Sequence, residues 1–146
     1  MKNKSFVFVF VGVVLVLLCG CVSAVQNSKN SESGKVQEIA MGERLIVAFQ
    51  KQDVKAFYKE VPPEVQSVWG TKEFEFECKK LKERWGEIDS FRYLTELEMS
   101  PTHQHVWAVR FKHRNLKGEF VYREVLFVVL TGTIDGNPKV FLFGFK

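Results

Sequence analysis

The sequence predicts an α+β domain in which N-terminal helices pack on a sheet of four antiparallel strands. Two observations carry that expectation. The spacing of apolar residues changes from a helical period of about 3.6 to a strand period of 2 at Gly86. The segments after Gly86 are separated by three clusters with turn chemistry, at 101–103, 115–118 and 135–138.

The helices come first. Val36, Ile39, Ala40, Ile46 and Phe49 recur at helical spacing and predict a first helix over 36–51. Asp53 is placed to cap a short helix from Val54 to Glu60, which Pro62-Pro63 ends. Pro63 can open a further turn, Glu64 to Trp69, closed by Gly70. Thr71 is then read as the cap of a helix to Trp85, with Phe74, Cys78, Leu81 and Trp85 as its apolar stripe and Gly86 as its stop.

Strands are predicted at 90–99, 105–113, 119–131 and 140–145. Loop lengths suggest a register in which Leu97 faces Trp107, Val109 faces Arg123 and Val129 faces Phe143. Pleat alternation then gathers the odd-numbered residues on one face, which is apolar almost throughout. Phe91, Tyr93, Leu97, Met99, Trp107, Phe111, Phe127, Phe141, Phe143 and Phe145 lie on it. Such a face demands a layer of helices.

The first 35 residues are of another kind. Lys2 and Lys4 precede an apolar run of 13 residues, Phe6 to Leu18, too short for a membrane span of about 20. This is the pattern of a cleavable signal peptide, residues 1–20. Leu18-Cys19-Gly20-Cys21 resembles the bacterial lipobox, which makes Cys21 the lipidated N-terminal residue. The alternative is cleavage after Ala24, within Val22-Ser23-Ala24, giving a soluble periplasmic protein. The Ser- and Asn-rich residues after Cys21, to 35, read as a flexible tether, and 36–146 as one domain. The expected location is the cell envelope, lipid-anchored and facing the periplasm, with the outer membrane favoured where the cell has one. Removing residues 1–20 leaves 19 basic and 17 acidic side chains. That near-neutral balance offers no footprint for nucleic acid.

The order of elements resembles the nuclear transport factor 2-like superfamily, in particular its small bacterial lipoprotein-type domains. Ile46-Val47-Ala48-Phe49, Asp53 to Tyr58, Pro63-Glu64-Val65, and Trp85-Gly86 leading to Phe91 carry the likeness. The resemblance implies a curved, cone-like sheet curled around the helices. It also implies either an isomerase- or cyclase-like pocket with inward Asp, His or Tyr, or a non-catalytic binding or dimerisation module. The residues gathered on that face from Phe91 to Met99, Trp107 to Phe111, Val121 to Val129 and Phe141 to Phe145 include no Asp or Glu at odd positions, so no catalytic residue is assigned.

Four further groups of residues have chemistry worth weighing. His103 and His105 have i, i+2 spacing, but His113 is about 26 Å further along a strand, and a metal site needs a third ligand. They are therefore read as polar turn histidines, with no metal site and no cofactor. Cys78 reads as a buried core thiol. Glu73, Glu75 and Glu77 diverge around their helix and read as a solvated face, with Glu75 able to pair with Lys79. Arg123 is the single charge on the apolar face, and a charge there is costly unless paired. Ringed by Tyr93, Trp107 and Phe111, it would hold a small anionic ligand at the cone mouth; otherwise it is structural.

The expected function is a non-enzymatic binding or interaction module on a lipid anchor. A cyclase- or isomerase-like enzyme and a structural dimerisation domain are the alternatives. Strand three is apolar on both faces from Val125 to Leu130, which favours a homodimer or an envelope protein partner.

Overall fold

A computed structural model describes residues 32–146. The predicted signal peptide, Cys21 and the alternative cleavage at Ala24 lie outside them. The packing described here lies within Gln37–Lys146.

The first helix, α1, spans 32–51 and so takes in four residues assigned above to the tether. Its buried face is Glu38, Met41, Gly42, Leu45, Ile46, Ala48 and Phe49, a stripe at i, i+3, i+4 and i+7. Val36 is exposed, so the stripe is rotated from the one its apolar residues suggested. Gly42 has a packing role: a Cβ there would overlap the indole of Trp107. The absence of a side chain lets the largest core residue lie directly beneath the helix.

Three shorter helices come next: α2, Val54–Glu60; α3, Pro63–Val68; and α4, Thr71–Trp85. Asp53 caps α2 as predicted, its carboxylate accepting from the backbone N–H groups of Lys55 and Ala56. Arg44 grips Glu60 with two hydrogen bonds of 2.7 and 2.9 Å, fastening α2 to α1. On α4 the buried stripe is the predicted one, Phe74, Cys78, Leu81 and Trp85. Thr71 is its first residue, with Gly70 in the cap position. Gly86 ends it at φ 95°, a left-handed value that a side chain disfavours.

Four strands form one antiparallel sheet in the order β1-β2-β3-β4. They are β1, Glu87–Met99; β2, Thr102–Arg114; β3, Phe120–Ile134; and β4, Asn137–Phe145. Asp135 and Gly136, both at positive φ, make the turn into β4 that the Asp-Gly pair predicts.

The helices-then-sheet architecture matches the expectation, but the cone does not. The sheet is open, neither closed nor strongly curled, with β1 and β4 at its edges. Four strands are too few to close on themselves, and the volume a cone would enclose is filled with rings. Phe49 on α1 lies 5.0–6.5 Å, centroid to centroid, from Phe57, Trp69, Phe74, Phe127, Phe143 and Phe145.

The predicted register holds in one place: Val129 pairs with Phe143. Elsewhere it is corrected. Trp107 pairs with Tyr93, not Leu97, and Val109 pairs with Val125, not Arg123. The β2–β3 shift is by two residues and preserves parity, so the odd residues of β2 still face the helices. In β1 the parity breaks. Irregularities between Ile88 and Ser90 and between Tyr93 and Thr95 each insert an extra residue, and each such bulge exchanges the faces of the residues beyond it. Leu97 and Met99 therefore turn outward, at 50% and 52% exposure. Glu96 comes to lie opposite His105. A third irregularity, in β4, places Val140 inside and leaves Phe141 partly exposed.

Candidate functional site

The chemistry-bearing side chains collect at one corner, where the first half of α1 crosses the start of β2 and the end of β3. His103 and His105 are strand residues of β2, not turn residues. His105 is fully buried, whereas the His103 side chain keeps 36% of its surface. Their i, i+2 spacing points both rings at α1. There they meet Glu38, a carboxylate set into the apolar stripe of the helix and 4% exposed.

One oxygen of Glu38 gathers the corner together. Its Oε2 lies 3.0 Å from His103 Nδ1, 2.9 Å from His105 Nε2 and 2.9 Å from Thr131 Oγ1. Thr131 is itself fully buried and pairs with His103 across the β2–β3 ladder. On its far side, His105 Nδ1 is 3.3 Å from the Tyr93 hydroxyl. That contact holds the ring with Nε2 toward Glu38. A second carboxylate approaches from β1, with Glu96 Oε1 3.3 Å from His103 Nδ1. Next along β2, the Trp107 Nε1–H is buried without a hydrogen-bond acceptor among the described residues.

Two imidazoles and a carboxylate thus place three ligand atoms within 4.8 Å of one another. Burying a carboxylate is costly unless its lone pairs are engaged. Here His103 and His105 on β2 and Thr131 on β3 supply the partners, and Tyr93 on β1 positions one of them. The arrangement can hold a proton, a hydrogen-bonding ligand or a metal ion.

The residues singled out for an anionic ligand are not assembled as expected. Tyr93 and Trp107 do touch, at 5.4 Å between ring centroids. Phe111 belongs to a different cluster, with Trp85 at 5.3 Å and Phe145 at 5.7 Å. Arg123 pairs with Phe111 in the ladder but is exposed, so the ring of aromatics around a guanidinium does not form.

Cys78 is the buried thiol its place in the stripe indicates, with its pKa pushed up to about 11 by burial. A thiol so poor in thiolate is a poor nucleophile. On the same helix the ion pairs are Lys80–Glu77 at 3.0 Å and Lys79–Glu83 at 3.8 Å. Among the described residues, two of the clefts away from the corner are of appreciable size. One, of about 240 Å³, is bounded by Gln50, Cys78, Lys82 and Ile88. The other, of about 370 Å³, is bounded by Pro62, Val65, Ile134 and Phe141.

Sequence reasoning noticed the same-side histidines but set them aside as turn residues, and it missed both carboxylates. A signal for Glu38 was present, since it lies seven residues before Leu45 and four before Gly42, on the buried side. Choosing the helix phase from Val36 and Ile39 concealed it. Glu96 left no such signal, because only the bulge in β1 turns it inward.

No family model matches the sequence, and no curated protein matches it. Among solved structures, the chain is similar to a SEC-C motif containing protein from Rhodopseudomonas palustris. The TM-score is 0.43 and the identity 14%, over 68% of this chain and 70% of that one.

Proposed function

We propose that this chain is a lipid-anchored binding module of the cell envelope, non-enzymatic, which takes its ligand at the Glu38–His103–His105 corner. The observation that carries the reading is the contrast between a helix–sheet interface packed with aromatic rings and one polar, partly open corner with converging side chains. A packed interface leaves little room for the substrate of a cyclase-like enzyme. His103, the partly exposed member, gives a ligand access to the buried ones. Anchoring rests on Cys21 at the end of the apolar run, 17 residues before Glu38. Two or more acyl chains would make the attachment stable.

Two measurements test this. Cys21→Ser should abolish labelling by a fatty-acid probe; continued acylation would refute the anchor. The full chain in detergent should melt higher with one member of a panel of divalent cations, small carboxylates and phosphates. At saturation the shift should be roughly 5 °C or more, and His103→Ala should remove it. A wild type that responds to none of them would refute the binding site.

A further inference from the structure

The geometry points to a site for a first-row divalent transition metal, bound by Glu38, His103 and His105 with Glu96 as fourth ligand. This deepens the binding-module reading and rests on it. Imidazole nitrogen with carboxylate oxygen is the donor set of zinc and its neighbours; calcium and magnesium favour oxygen alone. Ordinary zinc bonds of about 2.0–2.1 Å put adjacent donors of a tetrahedron about 3.3 Å apart. Glu38 Oε2 is 3.0 and 2.9 Å from the two nitrogens, and Glu96 Oε1 is 3.3 Å from His103 Nδ1. Small outward movements of side chains would open that set around an ion, and the edge between the two imidazoles would have to close from within its 4.8 Å limit.

Charge points the same way. Two carboxylates and two neutral imidazoles around a dication sum to zero. Without a cation the same groups bring two carboxylates to one imidazole nitrogen in a place largely shielded from water. The surrounding contacts are those a metal-bound histidine requires. With Nε2 on the ion, His105 turns its Nδ1–H to the Tyr93 hydroxyl, fixing tautomer and ring. Thr131 orients the carboxylate of Glu38. His103 provides the entry path.

The full chain, purified in detergent and stripped with a chelator, should bind one Zn²⁺ with micromolar or tighter affinity by calorimetry. Cobalt substituted for zinc should show visible ligand-field bands. His103→Ala should weaken zinc and bleach those bands. Tyr93→Phe, which leaves every ligand in place, should weaken zinc by about tenfold. If His103→Ala fails to fold, Tyr93→Phe and the wild-type cobalt spectrum decide. A folded wild type that binds no zinc and shows no cobalt bands overturns the inference. So does an affinity unchanged in both variants. A chain stabilised by a carboxylate or phosphate but not by zinc overturns the metal while leaving the binding module standing.

Discussion

At the scale of single residues, burial decides which polar groups matter. Glu38 and Arg123 look opposite in importance in the sequence, and the structure reverses them. Arg123 stands out as one charge in an apolar face, yet it lies exposed on β3 where a long side chain reaches water. Arg123→Met should accordingly change stability by no more than about 0.5 kcal/mol in a urea titration. A loss of several kcal/mol would mean that the guanidinium is buried against a carboxylate after all. Glu38, inconspicuous among the helix residues, is the buried charge whose partners must be accounted for. His103 and His105 are legible as a same-side pair. What they pair with is not.

At the scale of elements, the helices are more legible than the strands. The Asp53 cap, the apolar stripe of α4 and the stop at Gly86 depend on neighbours within a turn or two, so their signals are local. Strand faces depend on register, and a single inserted residue reverses them. In β1, Tyr93 and Glu96 both face inward although they are three residues apart, which strict alternation forbids and a bulge permits. Leu97 provides the test. Strict alternation buries it, and burial would make a lysine there severely destabilising. With Leu97 turned outward, Leu97→Lys should change stability by no more than about 0.5 kcal/mol in a urea titration.

At the scale of the whole molecule, the helices among the described residues cover one face of the sheet and leave the other uncovered. Tyr122, Leu126 and Leu142 are exposed on that face, at 53%, 44% and 61%, while Val128 is half-buried. A second copy of the chain or an envelope partner remains the proposed cover for it. The proposed location in the envelope rests on the sequence around Cys21. Val22, not an aspartate, comes directly after Cys21, so in a cell with two membranes the acylated chain should sediment with the outer one. Recovery with the inner membrane would count against that sorting.

The sequence by itself determined the class of fold, the order of its elements, the residues of α4 and the β3–β4 pairing at Val129–Phe143. Hydrophobic period, caps and turn residues act over a few positions and can be read where they stand. Only the tertiary structure decided that the sheet stays open, that β1 changes faces midway and that Glu38 and Glu96 meet two histidines. Those outcomes depend on contacts between residues as far apart as Glu38 and Thr131, 93 positions along the chain. They also depend on how many rings must fit between α1 and the sheet. No local pattern encodes such a distance, because the packing of the whole core sets it.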